Sequence, residues 1–337
     1  MTVLGPGDIV GLVNSTYATD LFVAVVTEFD IFTRLAEREA TTARQLSEML
    51  EIDERGADVT LTYLAALGLL ERLPGGAVRV AEPAARYLQA DSSIDLRHYA
   101  RTVSTRPGCR EVGQVLRTGQ PAPWESDGDD WINRMSEKEF ADSFAAAMNA
   151  RGAYLSPALG EVLSAIGVVS RILDIGGSSG IYACSLVQAL PGTTAAVLDL
   201  PSVVDFTRES IAARGLSDRV DAIGGDMFGE LPSGFDLHLY SNVWHDWDAE
   251  SIGKFAAASF AALPPGGVLV DHDMHLDDTK SGPLRQAEFS VRMMLKTAGK
   301  CYSTPELAEI LGPIGFEDVH LRPTTAGYSA LVARKPA

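Results

Sequence analysis

From Ala18 to Leu35 the apolar residues Leu21, Phe22, Val25, Val26, Phe29, Ile31 and Phe32 recur mostly at helical spacing. That period predicts an amphipathic helix followed by a second buried turn. In TTARQLSEMLEID, Thr41 or Thr42 can cap a helix, and a second helix through Val59, Leu61, Leu64 and Leu67 ends at Gly68. LLERLPGGAVRVAEP then alternates around Pro74, Gly75 and Gly76, which predicts a small β-hairpin. Two short helices and a hairpin make a winged helix-turn-helix over residues 1–100. Such a unit either reads DNA or serves packing and dimerisation.

Residues 101–165 carry Pro107, Pro121, Pro123 and Pro157, helical stretches such as KEFADSFAAAMNARGAYL, and an acidic ESDGDD turn. They read as a helical connector that contributes to a substrate pocket. Over residues 166–337 short β-branched runs alternate with helical stretches: SRILDIGG, TTAAVLDL, VDAIGGD, FDLHLYSN, GGVLVDHD, then a pair around DVHLRP and YSALVARK. The alternation predicts an α/β domain with a doubly wound, mainly parallel sheet of about seven strands.

Composition narrows the partners. The 337 residues are 46% hydrophobic, enough for a core without disulfides or metals. The net charge of −17, with no run of five Lys or Arg, repels phosphate backbones, so nucleic acid is not an expected partner and the winged helix is weighted towards dimerisation. The 3 cysteines are widely spaced and form no CxxC, which fits a reducing cytoplasm. The opening MTVLGPGDIV has no basic segment leading into an apolar one, and no uninterrupted apolar run reaches the roughly 18 residues of a membrane span. A cytoplasmic protein without a membrane partner is expected.

The chemistry begins at Asp174-Ile175-Gly176-Gly177-Ser178-Ser179-Gly180, where an apolar strand enters a turn of small residues and then the helix IYACSLVQAL. Only small residues let a backbone approach a ligand at such a turn. Alone it fits a methyl-donor site, a dinucleotide site or an empty connection. Asp199, closing the next strand before Leu200, can take both hydroxyls of a ribose. Asp226 and Met227 end the third strand, where a carboxylate and a thioether can flank an adenine, although Asp226 also suits a helix cap.

DIGGSSG, VLDLPSVV, GGDMF and SNVWHDWD together resemble the small-molecule O-methyltransferases that include caffeate and acetylserotonin methyltransferases, over nearly the whole chain. The resemblance implies a Rossmann-like seven-stranded methyltransferase domain behind an N-terminal winged-helix dimerisation domain, and hence a homodimer. It implies S-adenosylmethionine as cofactor and S-adenosylhomocysteine as product. Asp174, Gly176, Gly177 and Gly180 would hold the methionine part, Asp199 with Leu200 the ribose, Asp226 and Met227 the adenine, and Ser241 would lie near the sulfonium. It implies His245 as general base on a small-molecule hydroxyl, a role suited to an imidazole pKa near roughly 6.5. Asp246 would orient His245, and Asp273 matches the family's carboxylate.

The chain departs from this family at Asp271-His272-Asp273-Met274-His275. With His245, His272 and His275, three of the 6 histidines converge on two adjacent strand ends. His245, Asp246, His272 and His275 are thus a candidate ligand set for zinc or iron(II). Strand parity opposes it, because Asp271, Asp273 and His275 share one face while His272 points away unless the strand has ended. A metal would favour C-methylation of the β-carbon of an α-keto acid, since a Lewis acid stabilises the enolate. The chain also looks like the bacterial α-keto acid C-methyltransferases, yet it has no histidine near Met293 to Thr297, where that branch has its second ligand. Arg106, Arg151 and Arg292 are candidates for a substrate carboxylate, or ordinary surface arginines. C-methylation is ranked slightly ahead of O-methylation, and a ligand-sensing, DNA-binding regulator is third.

Overall fold

The computed structural model describes residues 4–123, 138–167 and 169–337; the ESDGDD turn lies outside them. In chain order the first elements are α1 (Pro6–Asn14), α2 (Ala18–Thr27), α3 (Ile31–Ala36), α4 (Ala43–Leu50) and α5 (Glu54–Ala66). Then come β1 (Leu70–Arg72), β2 (Val78–Val80), α6 (Glu82–Tyr87), α7 (Arg97–Ala100) and α8 (Pro107–Thr118). The remainder runs α9 (Lys138–Ile166), β3 (Arg171–Ile175), α10 (Ile181–Ala189), β4 (Thr194–Asp199), α11 (Val204–Ala213), β5 (Val220–Gly224) and β6 (Leu237–Ser241). It ends with α12 (Ala249–Ala262), β7 (Val268–Asp273), α13 (Leu284–Lys296), α14 (Thr304–Leu311), β8 (Glu317–Pro323) and β9 (Ser329–Arg334).

Two compact units divide the chain. One comprises Asp8–Gly128 with His275–Ser303; the other comprises Met1–Gly7, Asp129–Met274 and Thr304–Ala337. The first is mostly helical. Thr42 starts α4 in a capping box with Gln45, and Asp53 caps α5 through Gly56 N–H at 3.1 Å. The apolar stripe predicted from Leu21 to Phe32 is buried except for half-buried Phe22, together with Leu46, Leu61 and Leu64. β1 and β2 pair antiparallel, Leu70 opposite Val80, around a turn in which Gly75 and Gly76 hold φ of +81° and +79°. The order helix, helix, hairpin follows the sequence pattern.

Pro6–Thr27 is long and apolar enough to cross a membrane by length and composition alone, although Asp8, Asn14 and Asp20 interrupt the apolar run. It bends into α1 and α2, however, and Leu21, Val23, Ala24, Val25 and Val26 are buried within this unit, which is the pattern of a core helix.

The segment 275–303 joins the N-terminal helices through polar anchors. Arg55 on α5 donates to the carbonyls of Met294, Thr297 and Gly299 at 3.1, 2.9 and 2.9 Å, and to Gly119 O at 2.9 Å. Asp58, one turn on, takes ion pairs from Lys280 and Lys300. Burial alone would raise the Asp58 pKa, but the two ammonium groups outweigh it and hold the carboxyl well below the usual range. Arg55→Ala would strand several partly buried carbonyls at once. It is expected to cost about 2–4 kcal/mol of stability, read as a lower thermal denaturation midpoint.

The second unit is built on a seven-stranded sheet of order β5-β4-β3-β6-β7-β9-β8. Strands β3 to β7 pair in parallel, and β9 runs antiparallel to both β7 and β8. Interior strands carry apolar runs because helices cover both faces: Ile172, Leu173, Val197, Leu237, Leu239, Leu269 and Val270 are buried. Strand order reverses between β3 and β6, so their carboxyl ends form the topological switch point where open α/β sheets bind ligands. α9 lies close on α10: a Cβ added to Gly152 would meet Ile181 Cγ2 at 2.5 Å.

Candidate active site

The turn after β3 is shaped by backbone geometry. Gly176 and Gly180 hold φ of +71° and +69°, conformations that a side chain would strain. A Cβ on Gly177 would lie 2.6 Å from Asp174 Cγ, so the site admits only glycine without rearrangement. Beside it, Asp199 at the end of β4 accepts Ser178 N–H on Oδ2 and Leu200 N–H on Oδ1, both at 2.8 Å. Each oxygen keeps a second lone pair for a diol. Gly225 N–H donates to Asp199 O at 2.9 Å, bringing Asp226 and half-buried Met227 to the neighbouring strand end. Asp226 itself is exposed and accepts Phe228 N–H at 3.0 Å. Leu200 is 51% exposed at the rim.

Two buried oxygens in this cradle have no protein partner, Asp174 Oδ1 and Ser241 Oγ. Burial pushes the Asp174 carboxyl up to about 7, with the Asp199 charge adding and Ala183 N–H partly offsetting. A buried carboxyl with one oxygen unpartnered, in a glycine-walled cradle, calls for a cationic ligand atom. A methionine-linked adenosine bearing an ammonium and a sulfonium fits these residues: Asp174 for the amino-acid end, Asp199 for the ribose.

On the other flank of the switch point, His245 sits in the single 3-10 turn Trp244–Asp246 after β6. The turn is pinned by its aromatics. Trp244 is 1% exposed, and the Trp247 ring packs edge-on to Phe228 and Phe255 at 5.0 and 5.7 Å. Asp273 ends β7, whose register with β6 sets Ser241 opposite His272. His245 Nδ1 stands 2.7 Å from both carboxylate oxygens of Asp273, and Met274 N–H donates to Oδ1 at 2.7 Å. The carboxylate holds the proton on Nδ1, which makes Nε2 the lone-pair nitrogen. Nε2 is 3.5 Å from Asp246 Oδ1. Burial alone would lower the imidazole pKa, but Asp273 and Asp246 outweigh it and leave the value above the ordinary one.

The proposed metal ligands do not come together. Among the described residues no group of three or more His, Cys, Asp or Glu is placed to hold an ion. β7 continues through Asp273, so strand parity turns His272 away from Asp273. Its ring meets Tyr182 edge-on at 5.6 Å and Tyr328 at a tilt at 5.5 Å, and its Nε2 lies 3.1 Å from Thr324 Oγ1. His275 follows the strand and belongs to the other unit. The donor set for zinc or iron(II) therefore does not fit these residues. Two of the three candidate arginines also lie in that other unit: Arg106 pairs with Asp20 at 3.4 Å and Arg292 donates to Asn14 Oδ1 at 3.1 Å.

Sequence reading overlooked Tyr182, Asn242 and Tyr328. Asn242 holds φ of +58° and donates through Nδ2 to Tyr182 OH at 3.0 Å. Its place between a strand end and His245 was the available signal; Tyr328 offered none.

A seven-stranded doubly wound sheet, a glycine-walled cradle beside the Asp199 carboxylate, and a buried His–Asp pair across the switch point fit a group-transfer enzyme with an adenosine cofactor. Residues 122–317 match the O-methyltransferase domain model, more than half of the chain, and the protein belongs to that family of S-adenosylmethionine-dependent methyltransferases. It is 32% identical to the 3-hydroxy-5-methyl-1-naphthoate 3-O-methyltransferase of Streptomyces sahachiroi, over 96% of this chain and 93% of that one. It is 27% identical to the L-tyrosine C(3)-methyltransferase of Streptomyces lavendulae, over 92% and 87%. The crystal structure of an O-methyltransferase family 2 protein from Planctomyces limnophilus in complex with apigenin superposes with a TM-score of 0.86 at 25% identity, covering 99% of this chain and 97% of that one.

Proposed function

We propose that the enzyme O-methylates an aromatic hydroxyl of a small molecule in specialised metabolism, with His245 as general base. The observation that carries this reading is the buried His245–Asp273 pair, 2.7 Å apart at the switch point. S-adenosylmethionine, when bound, supplies a methyl group on a sulfonium and leaves as S-adenosylhomocysteine. The protein's own tasks are then alignment and deprotonation. Asp273 fixes the imidazole so that Nε2 takes the hydroxyl proton, and Asp246 stands beside that nitrogen as the imidazolium forms. The hydroxynaphthoate named for the Streptomyces sahachiroi relative and the apigenin in the Planctomyces complex support a planar aryl acceptor.

The second reading, C-methylation of an α-keto acid, draws support from the relative named for C-methylation of tyrosine. It requires a group that acidifies the carbon, and His245, Asp246, His272 and His275 do not assemble one. Incubation with methyl-labelled cofactor and a panel of hydroxyaryl acceptors, with the label located by NMR, tests the choice. A methyl on oxygen is expected; a methyl only on carbon would overturn the first reading. Asp199→Ala is expected to weaken S-adenosylhomocysteine binding by about 10²–10⁴-fold, the worth of two hydrogen bonds to a charged group, in a calorimetric titration.

A further inference from the structure

The His245–Asp273 pair has a cationic neighbour that neither the cradle nor the base employs. Arg151 lies on α9, and its guanidinium stands within electrostatic reach of Tyr328, Tyr182, Asp273 and Asp246. Its Nε is buried with no hydrogen-bond partner, and among the described residues no carboxylate closes an ion pair with it. The backbone that carries it is fixed on both sides. Asn149 Oδ1 accepts from Ser179 Oγ and from Arg214 Nη2, the latter at 3.0 Å, while Gly152 abuts Ile181. Asp273 and Asp246 nearby already favour the charged guanidinium, so what Arg151 lacks is an acceptor for its buried Nε–H, and a buried donor is costly until an acceptor meets it.

We propose that Arg151 is the counter-ion for an acidic acceptor, a hydroxyaryl carboxylic acid whose carboxylate bonds the guanidinium while its hydroxyl meets His245. The proposal rests on the O-methylation reading and specifies its substrate class. A carboxylate matches the planar fork of an arginine. A single negative charge suits the place better than a phosphate dianion, because Asp246 and Asp273 already contribute two carboxylates. Tyr182 and Tyr328, both within electrostatic reach of the guanidinium and both against the His272 ring, bring aromatic side chains to the same place. A neutral phenol would fill the same slot and leave Arg151 Nε unpaired.

The test compares two probes that differ only in the carboxylate, 3-hydroxy-2-naphthoate and 2-naphthol, titrated into the S-adenosylhomocysteine complex of the full chain. The wild type is expected to bind the acid about 10–100-fold more tightly, the ratio that a charge-assisted pair supplies. Arg151→Gln should reduce that ratio to about one by weakening the acid alone, and Arg151→Lys should keep part of it. Unchanged affinity for S-adenosylhomocysteine in both variants reports an intact fold. His245→Gln should retain the preference for the acid even though methyl transfer is lost, which separates this proposal from the reading it rests on. Equal binding of acid and phenol by the wild type, or a preference that survives in Arg151→Gln, overturns it.

Discussion

Replacing His245 with alanine is expected to lower kcat by about 10²–10⁴-fold, the usual worth of a positioned general base, while S-adenosylhomocysteine binds as before. The separation of the two effects follows from the architecture. The glycine turn and Asp199 lie at the ends of β3 and β4, whereas His245 stands beyond β6, where only Ser241 joins the proposed cradle. The wild-type pH profile carries the sign of the His245 shift. The reactive form is the neutral imidazole, and its pKa lies above the ordinary value because Asp273 and Asp246 outweigh burial. Activity should therefore climb with pH through a limb displaced to the alkaline side of about 6.5. A rate that is flat from acid to alkaline pH, with His245→Ala fully active, would remove the imidazole from the chemistry.

Asp273→Asn is expected to cost about 10³-fold in kcat, and for a different reason. The asparagine amide has nearly the same shape but can turn an N–H toward Nδ1, which places the imidazole proton on Nε2 where the acceptor hydroxyl must deliver its own. The loss is one of tautomer rather than of packing. A second signature accompanies it: with one of two nearby carboxylates gone, the acid limb of the kcat profile should move to lower pH. Reduced rate with an unmoved limb would mean that Asp273 only supports the strand end.

Much of this was legible in the sequence. The β3 turn announced itself because close approach leaves room for little beyond glycine and serine, and Asp199 because a strand-end acid after such a turn has few structural duties. His245 and Asp273 stand out through the WHDW and DHDMH segments, but only the β6–β7 register converts them into a pair. The DHDMH segment was misleading as a metal site for the opposite reason. Spacing in sequence treats His272 and His275 as neighbours of Asp273, whereas the pleat sends His272 to the Tyr182 and Tyr328 face and the chain leaves the unit at His275.

Two further features had no sequence signature. Tyr182 and Tyr328 flank His272 from a helix and a terminal hairpin far apart in the chain. The return of residues 275–303 to the N-terminal helices is secured largely by Arg55 gripping main-chain carbonyls. Any residue type can supply a carbonyl, so no pattern of side chains records the contact. Net charge and cysteine spacing, by contrast, bear on partners and compartment and leave the acceptor untouched.

The position of β9 gives the sheet an order of assembly opposed to its order in space. Of all the strands it comes last in the chain, yet it fills an interior place between β7 and β8, pairing Asp271, His272 and Asp273 with Leu331, Ala330 and Ser329. Until it inserts, β7 is an open edge carrying Asp273, the carboxylate paired with the proposed base, and open edges recruit other chains. The base is thus oriented only when the final strand closes the sheet.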